Sequence, residues 1–191
     1  ACTIPALFAE LDRRDVRRLD WILLTHIHLD HAGGIGHLVE RFPDARVVCH
    51  EKAVKHLISP DRLWGGSLKV LGDVARVYGQ IKAVPSKNII TTDEVPFGDG
   101  ITVIPTPGHA AHHQCFAWKD ILFCGELFGI FHQLAGSVYL RPATPPIFKL
   151  EEFEASMDNV IPYIDRQLCF SHYGACPDGR KILEMARKQL L

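Results

Sequence analysis

The stretch Thr25-His26-Ile27-His28-Leu29-Asp30-His31-Ala32-Gly33-Gly34 gathers three imidazoles and a carboxylate between His26 and His31. Imidazole nitrogens with a carboxylate oxygen suit zinc or another borderline first-row ion. No thiolate stands among them, which argues against a closed structural zinc site. In extended chain alternate side chains project to the same side, so His26 and His28 can converge on one point. The chain must then turn, and Asp30 and His31 can face a second point nearby. Two divalent ions sharing a water would lower its pKa toward ~7 and supply hydroxide at neutral pH. Asp30 is the candidate catalytic residue, orienting that nucleophile and managing its proton as well as ligating. Random placement of the 11 His and 13 Asp of this chain would yield H-x-H-x-D-H in only about two sequences per thousand.

Such a loop needs elements to hold it. The chain has 191 residues, 47% apolar and 23% charged, enough for one globular domain with a proper core. Helical apolar spacing runs from Ile4 to Leu19, and Trp21–Thr25 reads as a short buried strand directly before the histidines. Gly33-Gly34 leads into a short helix, Ile35–Arg41, followed by a strand at Ala45–Cys49 and a helix reaching about Ile58. Residues 59–79 read as a loop around Trp64-Gly65-Gly66 and then a helix. Strand signals follow: Thr91–Val95 and Ile101–Ile104 about a turn at Phe97-Gly98-Asp99-Gly100, then Gln114–Trp118 and Ile121–Cys124 about Lys119-Asp120. Residues 136–142 look loop-like. A helix from Leu150 to about Val160, a strand at Gln167–Phe170 and a helix from about Asp178 complete the series. Strands with interspersed and terminal helices predict a single α/β domain of layered (α+β) type over residues 1–191.

With these elements in view, His26-Ile27-His28-Leu29-Asp30-His31 resembles the signature of the metallo-β-lactamase superfamily. Further pieces stand in that family's order: Thr106-Pro107-Gly108-His109, Gly125-Glu126, and Ser171-His172-Tyr173-Gly174, each after a strand. The resemblance covers roughly residues 20–176. It implies an αββα sandwich with metals at one edge of the two sheets. It further implies that His26, His28 and His109 hold one metal, that Asp30, His31 and His172 hold the other, and that Glu126 occupies the bridging position. Two departures stand out. The family's bridging carboxylate is usually Asp, and the extra methylene of Glu126 could alter the metal separation, leave one site half-filled, or favour iron or manganese. Only 25 residues precede the histidine loop, so the expected sandwich lacks N-terminal strands, which would leave a sheet edge open.

The expected activity is a zinc-dependent, dinuclear hydrolase of a small ester, thioester or lactone. Two other readings compete with it: a mononuclear iron oxygenase acting on persulfides, and a phosphodiesterase or nuclease of the same fold. The formal charge of −1 gives no footprint for nucleic acid, since Arg13, Arg14, Arg17 and Arg18 are interleaved with Asp12, Asp15 and Asp20. No apolar run is long enough to span a bilayer, no leader pattern opens the chain, and the six cysteines form no C-x-x-C pair. A cytoplasmic protein acting on a small molecule, without nucleic-acid or membrane partners, is the resulting expectation. A truncated sheet edge or the Trp64 region could support a homodimer. His132, Tyr139, Arg141 and Tyr173 are candidate substrate contacts, Arg141 as a bidentate carboxylate binder and Tyr173 as an oxyanion donor. His112 and His113 read chiefly as structural or solvated residues, and His37, His50 and His56 as surface ones. Thr25, Thr106 and Ser171 precede ligands and could hydrogen-bond to them or cap strand ends.

Overall fold

The computed structural model describes residues 2–95, 98 and 100–190. The chain is a mixed α/β protein and divides into two compact units, Ala1–Val95 and Pro96–Leu191.

In the first unit, helix α1 (Ile4–Arg13) leads to strand β1 (Trp21–Leu23), helices α2 (Leu29–Ala32) and α3 (Ile35–Arg41), and strand β2 (Arg46–Cys49). Helices α4 (Glu51–Ile58), α5 (Asp61–Leu71) and α6 (Asp73–Tyr78) then carry the chain to β3 (Ile89–Thr91). The strands pair in the order β1-β2-β3, all parallel, with Ile22 opposite Val47 and Val48 opposite Ile90. Parallel neighbours require crossovers, which the intervening helices supply. The central strand is covered on both faces, so it reads as the unbroken run Val47-Val48-Cys49, none of them more than 1% exposed. Ile35, Leu38 and Val39 of α3 pack with Leu24, Ile27, Phe42 and Leu57 into one core. Buried Asn88 clips the sheet, its amide donating to the Pro43 and Ala45 carbonyls at 2.7 and 3.0 Å.

The second unit contains β4 (Thr102–Pro105), β5 (Gln114–Trp118), β6 (Ile121–Gly125), the hairpin β7 (Ile130–Leu134) and β8 (Ser137–Arg141), helix α7 (Leu150–Asn159), β9 (Gln167–Phe170), β10 (Ala175–Cys176) and helix α8 (Gly179–Lys188). Five strands form one sheet in the order β10-β9-β6-β5-β4. Strands β4 and β6 both pair antiparallel with β5, while β9 pairs parallel with β6. Strands β4, β6 and β9 therefore run the same way and end at the same edge of the sheet. Leu122, Cys124, Phe128, Phe131, Leu140, Phe153, Met157 and Ile182 form the core beneath it. Each such side chain contributes roughly 1.5–3 kcal/mol when fully buried.

Four expectations are corrected. Helix α1 stops at Arg13 rather than reaching Leu19, because Asp15 turns left-handed (φ 53°). The Asp15 amide then donates to the Asp12 carbonyl and the Val16 amide to Leu11. That is a Schellman stop with Asp in the position glycine usually marks. Trp64-Gly65-Gly66 lies inside α5 rather than in a loop. The glycines cost about 1 kcal/mol each relative to alanine, and packing of Leu63, Trp64 and Leu68 against Leu29, Ala75 and Ile81 outweighs it. Residues 137–141 are strand β8, where Leu140 faces the core and Tyr139 and Arg141 face outward. Thr92–Glu94 is a turn rather than strand, and β3 and β4 pair with β2 and β5 instead of with each other. The turn expected over Phe97-Gly98-Asp99-Gly100 falls partly outside the described residues, at Phe97 and Asp99. Among the described residues no helix is long and apolar enough to cross a membrane.

Candidate metal centre

Strand β1 ends at Leu23, and the Leu24 amide still donates to the Val48 carbonyl at 3.0 Å. Beyond it the backbone is irregular as far as His28 (φ −59°, ψ 156°), which caps α2. The apolar residues between the histidines act as tethers: Ile27 packs into the main core of this unit and Leu29 into the smaller cluster below α5 and α6. Helix α2 supplies the turn that the sequence demanded and carries Asp30 and His31. The rings of His26 and His28 stand 4.7 Å apart edge-on, and those of His26 and His31 4.1 Å apart. His31 Nε2 lies 3.5 Å from Asp30 Oδ2. Thr25 Oγ1 is 3.2 Å from His26 Nδ1, so the residue before this candidate ligand contacts its ring.

The second unit assembles its own group at the shared strand edge. His109 follows β4, Glu126 follows β6 directly, and His172 follows β9. Gly125 takes φ 57° where the ladder between Phe123 and Gly125 slips, which swings Glu126 out of the strand line. The Gly125 carbonyl accepts from the Ser171 amide at 3.2 Å, tying the Glu126 and His172 loops together. Glu126 Oε2 lies 2.6 Å from His109 Nε2, and its Oε1 lies 3.1 Å from His172 Nε2. One carboxylate thus addresses two imidazoles, one through each oxygen. His109 Nδ1 donates to the Ala143 carbonyl at 2.9 Å, which orients the ring with Nε2 facing Glu126. Gly108 (φ 127°) is wedged against α7, where an added Cβ would stand 2.4 Å from the Phe153 Cα. The Lys149 amide and the Ser156 hydroxyl bond to the carbonyls of Gly108 and Pro107 at 3.2 and 2.6 Å, fixing the same loop.

These donors fit borderline divalent ions. Ligand atoms of His26 and His28, of Asp30 and His31, of His109 and Glu126, and of Glu126 and His172 lie within 4.8 Å of one another in each pair. His26, His109 and Glu126 are at most 5% exposed. An ionised carboxylate so deeply buried needs compensating positive charge beside it, which a divalent ion would supply. The cysteines stand apart: burial pushes the Cys49 and Cys115 thiols up to about 12 and raises the Cys124 thiol well above its usual range. They are packing residues, not thiolate ligands.

The substrate candidates divide. His132 and Tyr139 are register partners on the outer face of the β7–β8 hairpin, their rings 5.9 Å apart. Tyr173 stacks on His132 at 4.6 Å and sits beside His172, holding a left-handed φ of 63° that is costly for a bulky residue. Arg141 lies two residues beyond Tyr139 on that outer face, opposite Ile130. His112 is half-buried, as are His37 and His56, and His50 caps α4 by accepting from the Lys52 amide at 3.1 Å. His113 is the residue whose part the sequence understated. It is 1% exposed, and its Nε2 accepts from the backbone amide of Glu126 at 3.1 Å. Its position four residues past His109, before a strand neighbouring that of Glu126, was the only available signal.

A family model described as "Metallo-beta-lactamase superfamily" matches residues 3–160. A metallo-beta-lactamase fold-containing protein of Sulfurisphaera tokodaii is 33% identical over 182 residues, covering 91% of this chain and 67% of its own length. The crystal structure of an archaeal metallo-beta-lactamase superfamily protein from Sulfolobus tokodaii superposes with a TM-score of 0.80 at 32% identity, covering 92% of this chain and 69% of that one. A hydroxyacylglutathione hydrolase of Xylella fastidiosa is 29% identical over 80% of this chain, which spans only 46% of that enzyme.

Proposed function

This chain belongs to the metallo-beta-lactamase superfamily, whose fold is typically hydrolytic and metal-dependent, and on that premise we propose that it hydrolyses a small thioester, ester or lactone at a dinuclear centre. In this reading His26, His28 and His109 hold one divalent ion, Asp30, His31 and His172 hold the second, and Glu126 serves both. The observation that carries it is the placement of His109 and His172 on the two oxygens of Glu126, the pattern a bridging carboxylate needs. When bound, two such ions lower the pKa of a shared water toward ~7 and polarise the scissile carbonyl.

The remaining work falls to the chain's own residues. Asp30 is the most exposed of the proposed ligands, with 31% of its side chain accessible, so it can accept a proton from the attacking water while staying within reach of His31. The Ala143 carbonyl holds His109 in one tautomer, and Gly108 and Gly125 fix the approach of their neighbours' side chains. The exposed rings of Tyr139 and Tyr173 on either side of His132 offer a flat surface for the substrate's apolar part, with Arg141 on the hairpin's outer face for a carboxylate. Thioesters lead the substrate classes because the Xylella relative is a hydroxyacylglutathione hydrolase. Zinc is the proposed metal, as imidazole-rich donor sets favour it.

Elemental analysis of the purified protein, followed by turnover on a panel of thioester, lactone and phosphodiester substrates, tests the reading. About two zinc ions per chain and thioester or lactone cleavage are expected. One iron per chain with dioxygen consumption on a persulfide would replace this reading with an oxygenase, and phosphodiester cleavage alone would replace it with a nuclease.

A further inference from the structure

His113 stands outside the proposed ligand set, yet its hydrogen bonds end on that set's central residue. A backbone N–H can only donate, so the 3.1 Å contact from the Glu126 amide makes His113 Nε2 an acceptor. A neutral imidazole then carries its hydrogen on Nδ1. That atom lies 3.1 Å from the Thr106 carbonyl, which can only accept, and 2.8 Å from the Thr106 hydroxyl. The Thr106 hydroxyl lies a further 3.4 Å from Cys115 Sγ, continuing the chain into the core. Thr106 is 0% exposed and His113 1%. The two residues also pair through their backbones, the Thr106 amide donating to the His113 carbonyl at 3.0 Å. The imidazole therefore links the end of β4, where the His109 loop begins, to the main chain of Glu126 at the end of β6.

This contact has a particular use in this chain. Glutamate carries one more rotatable bond than aspartate, so the direction of its carboxylate depends more on a fixed backbone. Gly125, with its left-handed φ of 57°, places no side chain of its own to restrain the turn. The residue after Glu126 is anchored by its amide to the Cys124 carbonyl at 3.0 Å, while the amide of Glu126 itself goes to His113.

We infer that His113 is a positioning residue that fixes the backbone of Glu126, so that one carboxylate can serve two metal sites. The inference rests on the dinuclear reading above, and it assigns His113 no contact with metal or substrate. Losing a hydrogen-bonded partner of this kind typically weakens metal binding 10–100-fold.

Zinc affinity, measured on the full chain by competition with a chromophoric chelator, and the visible spectrum of the cobalt-loaded protein test the assignment. His113→Leu keeps the bulk and removes the acceptor, and should weaken binding of at least one zinc ion tenfold or more and shift the cobalt bands. His113→Gln presents an amide oxygen near the Nε2 position, and should stay within about threefold of wild type with an unshifted spectrum. If His113→Leu does not fold, His113→Asn takes its place, because its shorter amide cannot reach the Glu126 amide and should show the same tenfold loss. Unchanged affinity in the Leu or Asn variant, or equal weakening in the Gln and Leu variants, overturns the role assigned to His113 while leaving the dinuclear reading intact. A wild-type chain that takes up no metal overturns both.

Discussion

Replacing Gly108 by alanine should cost far more than its one added carbon suggests. Two terms act together. The backbone at Gly108 has φ 127°, a region that side-chain-bearing residues enter at a cost of about 1–3 kcal/mol. The new Cβ would also stand 2.4, 2.5 and 2.6 Å from the Cα, N and Cβ of Phe153. Those are mostly main-chain atoms of α7 and cannot swing aside, so the overpacking term adds about 1–3 kcal/mol. The expected total, roughly 2–6 kcal/mol, is a large part of the ~5–15 kcal/mol by which domains are stable. Gly136→Ala is the control. Gly136 also has positive φ (77°), but an added Cβ meets nothing within 4 Å, so only the backbone term of about 1–2 kcal/mol applies. Urea unfolding of both variants beside wild type reads the difference. Metal content of Gly108→Ala should fall as well, since the displaced loop carries His109. Two variants within about 0.5 kcal/mol of each other would refute the claim that close approach to α7 fixes this loop.

Other perturbations follow from the same geometry. Asp30→Ala should lower kcat by about 10²–10⁴-fold with its circular dichroism spectrum intact; full turnover in that variant would remove Asp30 from proton handling. Asn88→Ala should cost about 1–3 kcal/mol in urea unfolding, because the Pro43 and Ala45 carbonyls lose their donor, and a change below 0.5 kcal/mol would contradict the clip. Burial raises the Cys49 and Cys115 thiols from 9.0 to about 12, so their stabilisation is whole below pH 9 and drains away as pH climbs toward 12. Each should add about 1.4 kcal/mol per pH unit to the alkaline loss of stability, and a Cys115→Ala variant with an unchanged alkaline slope would refute it. In the native protein at pH 8, iodoacetamide should label exposed Cys2 and spare Cys49, Cys115 and Cys124, as peptide mapping would show.

The sequence revealed those parts of the fold whose signals are local. Ile35–Arg41, Gln114–Trp118 and Gln167–Phe170 match the structure residue for residue, since the two strands are short, largely apolar runs and the helix follows Gly33-Gly34 with Ile35, Leu38 and Val39 at helical spacing. What escaped was governed by packing or by atypical punctuation. Asp15 stops α1 where glycine would have announced the stop, and Gly65-Gly66 announces a break that the Trp64 contacts override. The β7–β8 hairpin was hidden because its two-residue link, Ala135-Gly136, and its single inward pairs are weak signs by themselves. The histidine loop was legible from spacing alone. That His109, Glu126 and His172 form a group within the second unit follows from strand directions, which no local pattern encodes. The bond from His113 to Glu126 was barely legible in the sequence, because it joins positions just beyond the ends of neighbouring strands through a backbone atom.

Three like-directed strands ending at one margin have a consequence for how this protein can change. The points at which the Glu126 and His172 segments leave are set by the backbone ladder of the sheet, whose neighbouring strands lie about 4.8 Å apart whatever leaves their ends. The segments downstream of Glu126 and of His172 can therefore be lengthened, shortened or recomposed without shifting those two donors. New substrates can be reached by rewriting the rim while the chemistry stays mounted on an unaltered frame.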